Sequence, residues 1–447
     1  MYEPKIIAFL CTWCSYTGAD SAGIARFKSP ANIRAIRVPC SGRVSPEIIM
    51  RTFDQGADGV LVLGCHIGEC HYDTGNHRTA KRLPILRSLM AFAGLEPERL
   101  RLDWVSASEG ERFARITNEF VDEVRELGPV RWRVTGSEWK TVREKLLPPD
   151  EPLELTASDC AGKTDAIRSK VRELLATGQV GCAIGYELGP RGRTRPAFIY
   201  RPEEADRLVW NPDCTHNLTT YLRDKLHPVK GKEPPKPVAL VVKPCDSRAI
   251  NVLAAENAFS RQQVHAIGVV CDGIRAENGA LQARCASCEA RVPLVYDTLI
   301  GDPGAVIAQP AIPVVPGVLQ LEESAPAERM EFWLSQFDRC IRCYACRQAC
   351  PMCACPTCLY ERDDSLWVGM GTGLNEKRTF HLGRAYHLAG RCVGCNECER
   401  VCPMNIPISY LNQKLAQEIE TTFDFRAGLD PVTSPIITVL AGEYKEG

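Results

Sequence analysis

Long apolar runs are missing from this chain. Its 447 residues never approach the roughly 20 consecutive apolar positions that a membrane-spanning helix needs, so no direct membrane insertion is expected. Excess charge of either sign is also missing. Lys and Arg total 54 against 55 for Asp and Glu, so no overall basic field recruits nucleic acid, and the short run RGRTRP reads as solvated surface or a partner contact. Catalytic signatures are absent too: there is no Walker motif, GxSxG elbow, HExxH or Rossmann GxGxxG. GYELGPRGR (185–193) carries three glycines, but no apolar helix follows, which predicts a turn rather than a phosphate cradle. MYEPKIIAFLCTWC has an early acidic residue and a short apolar run instead of a secretory leader, so a cytoplasmic location is expected.

What is abundant is cysteine. There are 23, an odd total, mostly clustered as CxxC or CxC. Without an export signal, a disulfide framework is not expected, and clustered thiols point to metal binding or redox chemistry.

The patterning divides the chain into three expected domains: 1–135, 136–327 and 328–447. In the first, IIAFL (6–10), IRAIRV (33–38), GVLVLG (59–64) and LRLDWVSA (100–107) read as buried strands, separated by helix candidates such as SPEIIMRTFDQGA and RTAKRLPILRSLMAFAGL. This alternation implies parallel β-α-β units in a small, doubly wound, flavodoxin-like α/β domain. After the break at LLPPDEPLEL (146–155), a second α/β segment has PVALVVK (237–243) and VHAIGVV (264–270) as its clearest strands, the first following the proline-rich turn HPVKGKEPPKP. QPAIPVVPG (309–317) reads as a linker. The remainder reads as mainly helical around cysteine loops. Near its end, Ile408, Leu411, Leu415 and Ile419 form one apolar stripe, expected to pack within its own domain.

The stretch CIRCYACRQACPMCACPTC (340–358) packs seven cysteines into nineteen residues. Cys340, Cys343, Cys346 and Cys350, followed by Pro351, give C-x2-C-x2-C-x3-C-P, and Cys392, Cys395, Cys398 and Cys402, followed by Pro403, repeat it. In this spacing the first three thiolates wrap one 4Fe-4S cubane and the fourth ligates the other cluster. The expected sets are therefore Cys340, Cys343, Cys346 and Cys402, and Cys392, Cys395, Cys398 and Cys350. Structural zinc sites use paired rather than triple CxxC repeats, which disfavours zinc. With the helix-like HLGRAYHLAG between its two motifs, the segment resembles the dicluster ferredoxin modules of heterodisulfide reductase C subunits and succinate dehydrogenase iron-sulfur proteins.

In the first domain, Cys11, Cys40 and Cys65 each follow a strand, and the carboxyl ends of parallel strands share one sheet edge. Cys14 and Cys70 complete a set of five, one more than a single cluster requires, and spacing does not say which is spare. FLCTWCSYTGAD, VPCSGRV and GADGVLVLGCHIGECHY, including Trp13, Ser15, Tyr16, Gly42, Arg43 and Gly64, closely resemble the delta subunit of methyl-viologen-reducing hydrogenase over roughly residues 5–130. The resemblance implies a flavodoxin-like domain carrying a 2Fe-2S cluster in place of flavin, and electron exchange between a donor and a heterodisulfide reductase A-like bifurcating flavoprotein. His66 and His71 are expected beside the cluster rather than on it.

In the middle segment, Cys245 and Cys271 also follow strands, and with Cys285 and Cys288 make a four-thiolate set for a third cubane. The PCD turn at 244–246 resembles iron-sulfur portions of deazaflavin hydrogenase and dehydrogenase beta subunits and of anaerobic sulfite reductase A subunits. Cys353, Cys355 and Cys358 remain. They either form a fourth cubane with Cys214, or share the middle cluster with Cys285 and Cys288. Cys160 and Cys182 read as buried structural thiols.

The expected function is electron transfer: an iron-sulfur subunit of an anaerobic, heterodisulfide reductase-related complex, without its own substrate site. It would relay electrons between a hydrogenase, formate dehydrogenase or other oxidoreductase subunit and a heterodisulfide reductase A-like flavoprotein. The alternatives are a flavin-dependent dehydrogenase or reductase beta subunit, FAD being left open in the middle segment, and a redox sensor. No helix-turn-helix or basic recognition helix supports a transcriptional form of the latter.

Overall fold

The computed structural model of the chain describes residues 2–132, 159–228, 233–275, 279, 281–286, 288, 290–305, 316–362, 364, 368–429 and 431–436. The break at 146–155, the 135/136 boundary, residues 229–232 of the proline-rich turn and residues 309–315 of the linker lie outside them.

The N-terminal third alternates strand and helix: β1 (Ile6–Cys11), α1 (Ser15–Ile24), β2 (Ile33–Val38), α2 (Pro46–Asp54), β3 (Gly59–Gly64), α3 (Gly75–Phe92), β4 (Leu100–Trp104) and α4 (Gly110–Leu127). The sheet is wholly parallel with order β2-β1-β3-β4. Local chemistry sets the boundaries. Ser45 caps α2 by accepting from Ile48 N, with Pro46 at the first helical position, where its missing N–H costs nothing. β3 is buried along its whole length, as its unbroken apolar run requires. β2 corrects the expectation of a buried strand: it is the sheet edge, and its four central residues are exposed. β4 ends at Trp104, short of the expected 107.

The middle region contains α5 (Cys160–Ala176), β5 (Cys182–Leu188), β6 (Thr194–Ile199), α6 (Leu222–Leu226), β7 (Val238–Val242), α7 (Pro244–Ala255), β8 (Val264–Val269), α8 (Ala283–Ala286) and β9 (Thr298–Ile300). Their sheet runs β6-β5-β7-β8-β9, antiparallel only between β5 and β6. The GYELGPRGR segment is the end of β5 and the turn of this hairpin, as its lack of a following helix implied.

The C-terminal region is helical: α9 (Pro316–Glu323), α10 (Pro326–Asp338), α11 (Ala345–Gln348), α12 (Leu374–His387), α13 (Glu397–Arg400) and α14 (Ile408–Phe423). The expected boundary at 327/328 falls inside α10. Among the described residues, no helix is long and apolar enough to cross a membrane.

These helices stand between the two sheets. On one side, Phe9, Ile49, Phe53 and Val62 share a continuous core with Leu86 and Leu89 of α3, Trp333 and Phe337 of α10, Leu382 of α12, and Leu411, Leu415 and Ile419 of α14. The α14 stripe therefore packs on α3 of the N-terminal sheet as well as on its own region, which corrects the expectation. Trp333 Nε1 donates to Phe92 O at 3.1 Å, satisfying a polar group inside this core. On the other side, Met352, Leu388, Val393 and Cys395 join the core of the middle sheet. Arg391 holds Glu256, the residue that follows α7, through two contacts of 2.5 Å.

Candidate metal centres

The N-terminal cysteines meet at the carboxyl edge of their sheet. Cys11 ends β1, Cys65 follows β3, and their sulfurs lie 3.6 Å apart; Cys40, beyond β2, lies 3.7 Å from Cys70. Cys14 stands beside Cys65 and Cys11. Cys40 and Cys65, with burial, pull the Cys11 thiol in opposite directions; the neighbouring thiols and the amides of Trp13 and Cys14 win and lower it. Cys40 and Cys65 are pushed up by Cys11 and by burial. Helix α3 begins against this group. A Cβ on Gly75 would stand 2.1 Å from Cys40 Sγ and 3.1 Å from Cys70 Sγ, so only glycine fits. Asn76 donates to the carbonyls of Cys65 (3.3 Å) and His66 (2.5 Å), fixing the loop. His66 pairs with Glu109 at 2.6 Å, and His71 stacks on Trp13 with ring centroids 3.7 Å apart.

In the C-terminal region the two cysteine motifs have the same backbone path. Arg342 and Tyr344 flank Cys343 at positive φ (55° and 59°), and Gly394 and Asn396 flank Cys395 likewise (69° and 51°). Left-handed residues curl a loop so that peptide N–H groups can face its concave side. Arg342 N donates to Cys340 Sγ at 3.3 Å. The Arg342 guanidinium holds the strained loop, bonding Glu376 O, Tyr344 Oη and Tyr360 O.

The short helices α11 and α13, which follow these loops, pack on each other. Burial raises Cys340, the Arg342 amide opposes it, and the nearby Cys402 adds to the rise. Burial also pushes Cys346 up to about 11, with Cys340, Cys353 and Cys402 contributing. Cys350 is raised by Cys353 and by burial, with Cys395 contributing. The fourth cysteine of each motif thus stands beside thiols of the other. Cys343 is exposed and Cys398 is buried.

The middle thiols lie next to this group. Cys245 occupies the second position of α7: Pro244 opens the helix and Asp246 accepts from Lys243 N at 3.0 Å, which explains the PCD turn. Burial pushes Cys271 up to about 12, with Cys285 and Cys288 among its neighbours. Arg284 is buried beside Cys245, Cys285 and Cys395, and donates to the Cys395 carbonyl. Arg248 lies near Cys245, Cys288 and Cys392. The middle and C-terminal sets are therefore neighbours.

The surplus cysteines scatter. Cys353 stands beside Cys350 and packs on the middle core, Cys355 is exposed, and Cys358 packs beneath Cys340 and Cys346. Cys214 is fully buried. Its thiol accepts from Asn211 N at 3.4 Å, and Cys160 and Lys243 lie nearby, so its grouping with Cys353, Cys355 and Cys358 rests on sequence alone. Cys182 is a core residue of β5, whereas Cys160 is only half-buried.

The donor set fits iron-sulfur clusters. Buried thiols with raised pKa become thiolates when metal binding offsets their desolvation, and amides aimed at sulfur match cluster loops. Among the described residues, no three His, Cys, Asp or Glu side chains converge on a single metal-ion position. A cubane does not ask for that, because each thiolate binds a different iron. Sequence reasoning missed Gly75, Asn76, Arg248, Arg284 and Arg384, none of which carries a motif; only their places beside the cysteines mark them.

Residues 6–128 match the family model of the methyl-viologen-reducing hydrogenase delta subunit. The N-terminal part is 47% identical over 131 residues to the F420-non-reducing hydrogenase iron-sulfur protein of Archaeoglobus profundus, covering 29% of this chain and 96% of that protein. The chain belongs to the methyl-viologen-reducing hydrogenase delta subunit family. A second family relative, the vhc iron-sulfur protein of the F420-non-reducing hydrogenase of Methanococcus voltae, is 48% identical over 128 residues, 29% of this chain and 89% of its own length. The large A polypeptide of the ferredoxin/F420H2-dependent CoB-CoM heterodisulfide reductase of Methanosarcina acetivorans is 52% identical over 137 residues, 31% of this chain but only 17% of that polypeptide. Residues 336–406 match a 4Fe-4S dicluster domain. The chain thus joins a delta-type domain to a dicluster domain.

Proposed function

We propose that this chain is an electron-relay iron-sulfur subunit of a cytoplasmic, anaerobic complex related to heterodisulfide reductase. In this reading the chain forms three cluster-bearing units, the first, to about residue 135, flavodoxin-like, and the third beginning ahead of α10 rather than at 328, so that this helix stays whole. The carrying observation is the packing of the dicluster region between the other two units, with buried arginines separating neighbouring cysteine sets. The parallel order β2-β1-β3-β4 is that of a doubly wound flavodoxin-like sheet lacking its fifth strand, and such folds bind cofactors at the strand ends.

The cysteines 11, 14, 40, 65 and 70 would supply the ligands of a 2Fe-2S cluster. Cys340, Cys343, Cys346 and Cys402 would hold one cubane, Cys392, Cys395, Cys398 and Cys350 a second, and Cys245, Cys271, Cys285 and Cys288 a third. Clusters supply one-electron transfer when bound; the protein sets their spacing, burial and charge. Because nearly whole hydrogenase iron-sulfur proteins and part of a heterodisulfide reductase polypeptide align with the N-terminal unit, that unit faces a heterodisulfide reductase A-like bifurcating flavoprotein. The other units face a hydrogenase, formate dehydrogenase or related oxidoreductase.

Two experiments test this. Gly75→Ala should displace the Cys40 thiol and remove the N-terminal iron alone, leaving at least about eight irons for the two C-terminal cubanes. Iron analysis with EPR of the anaerobically purified variant checks it; loss of C-terminal signals would contradict the independence of the sites. In stopped-flow assays of the native complex, Cys11→Ala with Cys65→Ala should leave the C-terminal cubanes reducible while abolishing transfer to the flavoprotein. Undiminished transfer would reject the relay order. Flavin at about one per purified chain would reassign the protein to the flavin-dependent dehydrogenases.

A further inference from the structure

Arg384 lies on α12 with 3% of its surface exposed, among the thiols of Cys353, Cys350, Cys346 and Cys398. Cys346 belongs to the first proposed cubane, Cys350 and Cys398 to the second. Its Nη2 donates to Cys346 O at 3.0 Å, and the guanidinium also holds the thiol of Cys353, a cysteine of neither proposed cubane, whose pKa it helps to lower; Nε and Nη1 reach no carbonyl or carboxylate. No carboxylate pairs with it among the described residues. The adjacent His381 offers no negative charge: it is buried, and desolvation together with Arg384, Arg342 and Lys377 holds it neutral, its pKa lowered to about 3.

A guanidinium buried without a carboxylate is costly, and the Cys353 thiol beside it compensates only part of that cost. The arrangement therefore implies anions that complete it. Two thiolate-ligated cubanes meet the requirement, since each is net anionic and carries sulfides able to accept hydrogen bonds. Their proximity also raises a problem: reducing one adds negative charge beside the other. A fixed cation between them offsets that repulsion in a region of weak screening.

We propose that Arg384 is the shared counter-cation of the two C-terminal cubanes, raising both reduction potentials so that each accepts an electron despite the negative charge of the other. It is a positioning residue, acting on the clusters through charge and hydrogen bonding. The inference rests on the reading that two cubanes occupy this region.

Redox titration of the anaerobically purified holoprotein, monitored by EPR, tests it with Arg384→Gln and Arg384→Lys. With iron retained, Arg384→Gln should lower the reduction equilibrium of each cubane about tenfold, or about 59 mV for a one-electron couple, with Arg384→Lys close to the parent. Both potentials unmoved would overturn the proposal. If Arg384→Gln sheds iron, Arg384→Lys that keeps both cubanes near parental potentials upholds the role of charge; Arg384→Lys that sheds them too overturns it. Fewer than about eight irons in the parent would instead reject the dicluster reading itself.

Discussion

Replacing Cys402 with alanine is expected to remove the same cluster as replacing Cys340, and to leave intact the one that depends on Cys392. In the proposed assignment each motif contributes three thiolates to one cubane and its last to the other. In the structure Cys402 lies beside Cys340 and Cys346, while Cys350 lies beside Cys395. Each single variant should lose about four irons and one cubane signal. The double variants discriminate. Cys340→Ala with Cys402→Ala should lose no more iron than either alone, because both act on one site, whereas Cys340→Ala with Cys392→Ala should lose about eight. Iron analysis and EPR of dithionite-reduced protein measure this. If Cys402→Ala instead grouped with Cys392→Ala, each motif would hold its own cubane and the crossed assignment would be wrong.

The nearness of each motif's last cysteine to thiols of the other was legible because the proline-terminated spacing calls for it, just as the strand ends called for the meeting of Cys11, Cys40 and Cys65. Apolar runs fixed β1, β3, β7 and β8 closely, since a buried parallel strand has few other ways to satisfy its side chains. Edge status was not legible. IRAIRV reads as a strand and its Arg34 and Arg37 allow an exposed one, yet that β2 has a neighbour on one side only among the described residues is a property of the assembled sheet. The β5–β6 hairpin escaped because prolines and arginines interrupt its apolar pattern. The α14 stripe announced that something covers it without saying what. Arg384 was the least visible: an arginine in a helix ordinarily reads as surface, and only its three-dimensional burial among thiols gives it meaning.

The second large effect expected concerns the joint between the delta-type domain and the dicluster helices. Asp54, at the end of α2 and 2% exposed, pairs with Arg378 of α12 and accepts from Trp132 Nε1 (3.0 Å) and Thr379 Oγ1 (3.2 Å). Arg378 lies over the Trp132 ring at 4.0 Å. Asp54→Ala removes the carboxylate that these groups share and leaves a buried guanidinium unneutralised, which typically costs about 3–5 kcal/mol. Replacing both partners by apolar residues of similar volume, Asp54→Leu with Arg378→Met, should cost less than Asp54→Ala, because no charge then stays buried. Urea titrations following cluster absorbance and tryptophan fluorescence separate these outcomes; a midpoint for Asp54→Ala equal to the parent's would show that the pair contributes nothing to the joint. The effect on electron flow should follow the joint rather than the cysteines. At urea concentrations that open the variant's interface but not the parent's, both cubanes should stay reducible while transfer to the N-terminal site slows, because widening that gap breaks the relay without removing a ligand.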